Sequence, residues 1–152
     1  MATYEPAIDL FRRQIESIRV QTHHKWVCVI SDDCSSPERW REIEREVAGD
    51  LRFEASRSER RLGFYRNFER VLAMVPADAP LVALCDQDDR WHPEKLERLS
   101  AALGPAQLVY SDQRLVDPDG RVRRETMWHG RRNNHTSLAS MLVAMPYPEG
   151  AR

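Results

Sequence analysis

Two short apolar runs, each ending abruptly in a cluster of aspartates, constrain this chain more than any other feature. Trp26-Val-Cys-Val-Ile30 leads into Ser31-Asp-Asp-Cys-Ser-Ser36, and Leu81-Val-Ala-Leu-Cys85 leads into Asp86-Gln-Asp-Asp89. Runs of this length, rich in apolar residues and lacking polar alternation, read as strands buried on both faces, the pattern of a parallel sheet. Parallel strands need long crossovers, and helical patterns fill the gaps. Ile8, Phe11, Ile15 and Ile18 recur at helical spacing behind Pro6, and Trp40, Ile43 and Val47 do so behind Pro37, where Ser35 and Glu38 are spaced as a capping box. Leu51, Phe53 and Ala55 alternate as a short strand, and Phe64, Phe68, Val71, Leu72 and Val75 mark a helix closed by Pro76. Pro93, Leu96, Leu99 and Leu103 outline a further helix stopped by Gly104-Pro105. Leu108-Val-Tyr110 then leads to Asp112, and Val116-Asp-Pro-Asp-Gly-Arg-Val122 has the turn chemistry of a hairpin. Strand and helix alternating four times predict an α/β three-layer sandwich with a mostly parallel sheet. In such folds ligands bind outside the carboxyl ends of the strands, where both acidic clusters fall.

The rest of the composition narrows the classes of partner. With 23 basic against 24 acidic side chains the 152-residue chain has a formal net charge of −1, which gives no general attraction to nucleic acid or anionic lipid. The apolar run from Trp26 to Ile30 is far short of the roughly 20 residues that span a bilayer. Residues 1–20 carry Glu5, Asp9, Arg12, Arg13 and Glu16 in place of a basic region followed by an apolar stretch, so they do not read as a secretory signal. Cys28, Cys34 and Cys85 form no CxxC pair and read as reduced thiols. These features predict a cytoplasmic protein.

Four groups of residues could carry chemistry. Asp86, Asp88 and Asp89 lie within four positions, so at least two carboxylates can face one point, which suits a hard divalent cation such as Mg2+ or Mn2+. The alternative is a solvated turn in which Asp88 or Asp89 caps the following helix. Asp32 and Asp33 could accept hydrogen bonds from a base or a ribose, or could cap the helix after Pro37. Between Arg57 and Asn67, guanidinium groups and Gly63 precede a helix, an arrangement that can steady a diphosphate; Arg66 and Asn67 are the candidates, against an ion-paired surface face. Trp91 and His92 precede Pro93, where His92 could contact substrate or simply pack at a helix start. No GxSxG, HExxH, Walker A or GxGxxG motif occurs.

Taken in order, Gln21-Thr22, the strand into Ser31-Asp-Asp-Cys-Ser35, Gly63 with Arg66-Asn67, and Leu84-Cys-Asp-Gln-Asp-Asp-Arg-Trp-His-Pro-Glu-Lys-Leu96 resemble the family-2 glycosyltransferases of the GT-A fold. With Tyr110-Ser-Asp112 downstream, the wording is most similar to bacterial enzymes of the rhamnosyltransferase type that build cell-surface polysaccharide. The resemblance implies transfer of a sugar, with inversion, from a nucleoside diphosphate (dTDP- or UDP-linked) to the hydroxyl of a glycan or lipid-linked acceptor. It also implies work in the cytoplasm or peripherally at the inner membrane face. Thr3 and Tyr4 match a loop that touches the nucleotide, Asp32 the aspartate that contacts the base, with Asp33 beside it, and Arg66 and Asn67 the segment beside the nucleotide. Asp86 and Asp88 match the DxD pair, Asp86 toward the ribose and Asp88 on the metal, while Asp89, Trp91 and His92 match positions near the sugar.

The resemblance extends over about residues 1–142, expected as a partial nucleotide-sugar-binding domain, with 143–152 as an aberrant or disordered tail. Against the family's pattern, Met1 stands at the end of the usual first strand, and the acceptor base is expected beyond the C-terminus, so no catalytic base is named. A truncated or frame-shifted gene product is the expectation from these departures. The alternative function is an inactive fragment retaining at most nucleotide and metal binding. Phosphorelay receivers and aspartate-nucleophile phosphatases also carry acidic pairs after strands, but both require a late lysine, and no lysine follows Lys95.

Overall fold

The computed structural model describes residues 1–117 and 119–127. They fall into two units, the first ending at Pro105 and the second beginning at Ala106. The first unit runs β1 (Ala2–Thr3), α1 (Ile8–Arg19), β2 (Cys28–Asp32), α2 (Pro37–Val47), β3 (Phe53–Arg57), α3 (Phe64–Ala73) and α4 (Lys95–Leu103).

Its sheet is parallel throughout in the order β1-β2-β3, with Ala2 opposite Ser31 and Cys28 opposite Phe53. The crossovers α1 and α2 step the same way across the sheet, so right-handed connections put both on one face. Alternation along β2 confirms this division. Ile30 points into a core with Phe11, Ile15 and Ile18 of α1 and Ile43 of α2. Ser31 points the other way and is bonded by Asn67 and Arg70 of α3. Helix, sheet and helix therefore stack in three layers, as the sequence pattern predicts.

The elements start where local chemistry lets them. The stripe of Phe11, Ile15 and Ile18 is buried, and this face drives α1 onto the sheet. Pro37 opens α2 in its first turn, and the Ser36 hydroxyl accepts the Arg39 N–H at 3.3 Å. The expected Ser35–Glu38 capping box is not formed. Cys34 adopts a left-handed conformation at φ 64°, and the Ser35 hydroxyl donates to Asp32 and accepts from the Glu5 N–H.

The larger difference concerns Leu81–Cys85. This run is not a strand; Leu81, Val82 and Leu84 are 53, 52 and 60% exposed, and only Cys85 is buried. A buried parallel strand needs a ladder of comparable length, and β1 at the edge of the sheet is two residues long. Leu108-Val-Tyr110 likewise forms no strand.

In the second unit β4 (Leu115–Val116) and β5 (Val122–Arg124) pair antiparallel, as the turn residues predict. Asp117 closes the turn, its carbonyl accepting from the Gly120 N–H at 2.8 Å and its carboxylate from the Arg121 N–H at 2.9 Å. Gly120 takes the left-handed conformation, φ 81°. Asp112 accepts from the N–H groups of Gln113 and Met127 and from the Thr126 hydroxyl, tying the chain before the hairpin to the chain after it. The expected tail at 143–152 lies outside the described residues.

Asn67 links the layers: its amide donates to the Thr3 and Ser31 carbonyls at 3.1 and 2.9 Å, and its oxygen accepts from the Ser31 hydroxyl. Replacing it with leucine keeps its bulk and strands these buried partners, so Asn67→Leu should cost about 2–4 kcal/mol in urea unfolding. The half-exposed Leu72 on the same helix should cost under about 1 kcal/mol as Leu72→Ala.

Candidate active site

A cleft of about 330 Å³ opens at the carboxyl ends of β1 and β2. Thr3, Tyr4, Asp33, Asn67, Asp86 and Asp88 from the sequence-derived set all line it. Thr3 ends β1 and Asp33 follows β2, so these two meet at neighbouring strand ends, whereas Asp86 and Asp88 reach the cleft on a segment outside the sheet.

Two neighbouring aspartates serve opposite sides of this floor. Asp32, the last residue of β2, is fully buried. Its carboxylate accepts from the Thr3 hydroxyl at 3.0 Å, the Ser35 hydroxyl at 2.6 Å and the Ser35 N–H at 2.8 Å, with Arg57 at 3.9 Å. The expected base contact from Asp32 is therefore not made from an open position; the side chain lies beneath the cleft and ties its walls together. Asp33 does line the cleft, and its two oxygens accept from the N–H groups of Leu62 and Gly63 at 2.5 and 2.9 Å. Those bonds pin the loop before α3, where Gly63 at φ 86° gives the backbone a turn that L side chains resist.

The wall next to α3 differs from expectation. Arg66 is exposed and does not line the cleft; Arg61 does, its guanidinium carbon 4.1 Å from the centre of the Tyr4 ring. This is cation–π geometry, and it leaves Tyr4 40% exposed. Phe64, 67% exposed, lines the same cleft. Asn67 lines it with all its hydrogen-bonding atoms already engaged by Thr3 and Ser31, so it shapes the wall. Arg61 and Phe64 were missed because Arg57-Ser-Glu-Arg-Arg61 looks like an ordinary charged loop; the signal was Gly63, which turns the chain so that its flanks face inward.

Trp91 and His92 lie away from the cleft. Trp91 belongs to the core, with its backbone N–H donated to the Ser17 hydroxyl at 3.0 Å and the Lys95 ammonium 4.6 Å from its ring centre. The His92 carbonyl accepts from buried Gln21, whose side-chain oxygen takes the Leu96 N–H, while the Thr22 N–H donates to the Pro93 carbonyl. The Gln21-Thr22 pair thus clamps the turn that enters α4.

On the opposite wall Asp86 and Asp88 face the cleft with Gln87 between them. Partial burial, then the charge of Asp88, pushes the Asp86 carboxyl above the usual carboxylate range. Burial, then the charge of Asp86, does the same to Asp89, opposed by Lys95. Lys95 is itself lowered by burial. Among the described residues no group of three or more His, Cys, Asp or Glu could hold a metal ion by itself. Two repelling carboxylates do fit a Mg2+-like ion, which characteristically takes one or two carboxylates and completes its shell with water and substrate phosphates.

A carboxyl whose pKa is raised in the folded state binds its proton more readily there than in the unfolded chain. Its ionised form destabilises the metal-free fold at neutral pH, and the cost is relieved as pH falls through the raised value. Asp86→Asn should therefore raise the melting temperature of metal-free protein at pH 7.5, by about 1–3 °C. The gain should shrink as pH falls below the raised value and vanish only below the ordinary aspartate value of 3.8, as differential scanning fluorimetry across the range would show.

No curated protein matches the chain. The family model described as "Glycosyl transferase family 2" matches residues 1–145, a span that takes in both acidic clusters, the Gly63 loop and every strand of the parallel sheet. The match covers most of the chain and agrees with its α/β fold and parallel sheet, and the chain belongs to glycosyl transferase family 2.

Proposed function

We propose that the cleft takes a nucleoside diphosphate sugar, UDP- or dTDP-linked, and that the sugar passes with inversion to a hydroxyl of a glycan or lipid-linked acceptor in cell-surface polysaccharide synthesis. Rhamnose-type donors are the best match to the Asp86-Gln-Asp-Asp-Arg-Trp-His-Pro wording. The observation that carries this reading is the convergence on one cleft of Tyr4, Asp33, Asp86 and Asp88 from three separate segments.

Each wall has a chemical task on this reading. The half-open Tyr4 ring, held from one side by Arg61, and the exposed Phe64 offer flat apolar surface to a nucleobase, while Arg61 adds positive charge for a phosphate. Asp32 and Asp33 act through position: one joins β1 to the loop after β2, the other holds the Gly63 turn. Asp86 and Asp88 would hold a Mg2+ or Mn2+ ion, which when bound supplies positive charge to the diphosphate as it leaves. In the transfer the acceptor oxygen bonds to the anomeric carbon as the bond from that carbon to the diphosphate oxygen breaks. The nucleoside diphosphate departs with the bonding electrons, and the proton of the acceptor hydroxyl is released to solvent. Asp89, half-buried next to Lys95, tunes the acidic loop, and Trp91 and His92 support its exit into α4.

Because two carboxylates make an incomplete shell, Mn2+ alone should bind only weakly, in the millimolar range or above, and tightly only together with nucleotide. Isothermal calorimetry with UDP and dTDP, with and without Mn2+, should show metal-dependent binding of one of them in the wild type. In Asp88→Ala the metal-dependent part should vanish, a loss of about tenfold or more in affinity. Absence of binding to either nucleotide would overturn the proposal and leave an inactive fragment. Release of free nucleoside diphosphate from the matching sugar donor then tests turnover.

A further inference from the structure

The middle residue of the acidic motif makes a contact that sequence reading passes over. The Tyr4 N–H donates to the Gln87 side-chain oxygen at 2.9 Å, and the Gln87 side-chain amide donates back to the Tyr4 carbonyl at 3.3 Å. A primary amide has one acceptor and one donor arranged like a peptide group, so this reciprocal pair reproduces one rung of a backbone ladder with a side chain. The position matters because the run leading into Asp86 forms no ladder: Leu81–Cys85 is unpaired, with Leu81, Val82 and Leu84 exposed. Both partners of this pair line the cleft.

From this geometry we infer that Gln87 is a positioning residue: its amide locks the Asp86/Asp88 wall to the Tyr4 wall and so couples occupation of the metal position to binding of the nucleotide. The inference rests on the donor-site reading above and names what makes the two halves of that site act together. Tyr4 is the pivot on the other side, since its backbone takes Gln87 while its ring takes Arg61. Two carboxylates flanking Gln87 repel each other, and a loop free of the sheet would relieve that repulsion by letting them part. The amide pair opposes such separation, keeping both carboxylates on the cleft beside Tyr4. Glutamine suits the task better than glutamate, which at neutral pH cannot donate to the Tyr4 carbonyl and would add a third negative charge.

The test is a ratio. For wild type, Gln87→Ala and Gln87→Met, the affinity for UDP and for dTDP is measured by calorimetry with and without Mn2+, and the metal-dependent enhancement is taken for whichever nucleotide binds. Loss of two exposed hydrogen bonds should reduce the enhancement about tenfold in Gln87→Ala, with the metal-free affinity within about twofold of wild type. General loosening of the fold would instead lower both affinities together and leave the ratio unchanged, and that outcome overturns the role given to Gln87. Gln87→Met keeps the volume and stem but neither hydrogen bond, so it should repeat the effect and carries the test if the alanine variant does not fold. An unchanged enhancement in the folded variant refutes the coupling. Failure of the wild type to bind either nucleotide refutes the donor-site reading itself, a result distinguishable from the other two.

Discussion

Asp32 is the group on which the cleft's geometry depends. A carboxylate removed from water is tolerated only when its oxygens are matched by donors, since an unmatched buried charge costs more than most single interactions can supply. Its donors come from separate places: the Thr3 hydroxyl at the end of β1, the amide and hydroxyl of Ser35 in the following loop, and at longer range the Arg57 guanidinium at the end of β3. Satisfying one buried group therefore aligns the carboxyl ends of three parallel strands. Asp33 then extends the same logic upward, its two oxygens fastening the Leu62-Gly63 turn and with it the start of α3. The β2 aspartates build the floor and rear wall.

The aspartates after Leu81–Cys85 are held under the opposite condition. Asp86 is raised by burial and then by the charge of Asp88, and Asp89 by burial and then by the charge of Asp86, a shift that Lys95 and the Asp86 backbone N–H oppose without cancelling. Carboxylates that repel one another gain from a bound cation, because the ion removes a repulsion that the protein alone leaves in place. The contrast separates Asp32 and Asp33, whose oxygens are matched by donors that hold the fold, from Asp86 and Asp89, whose ionised forms are disfavoured.

Much of this could be read from residues in order. The helices at Ile8–Arg19, Pro37–Val47 and Phe64–Ala73 follow from apolar spacing and from Pro and Gly at their ends, and the hairpin follows from Asp117 and Gly120. The strands were located, with ends displaced by two residues, because Cys28–Asp32 and Phe53–Arg57 are bounded by their pairing with each other and not by hydropathy. Leu81–Cys85 was read as a strand from composition, and composition is silent on whether a partner ladder exists. Among the cleft-lining residues, Asp33, Asp86 and Asp88 were expected from type and place, and Tyr4 from the family resemblance alone. Gln87, Arg61 and Phe64 were not, because an amide between two acids and an arginine in a charged loop have no distinctive pattern until the backbone turns them toward Tyr4.

Local chemistry thus determined the alternation of elements, the parallel character of the sheet and the placement of Asp32 and Asp33 at a strand end, since each depends only on periodicity and on residues within a few positions. Tertiary structure decided which aspartate faces inward, which arginine meets an aromatic ring and which apolar run goes unpaired. Those outcomes depend on hydrogen-bond partners 20 to 80 positions away, whose identity the chain settles only when its strand ends come together.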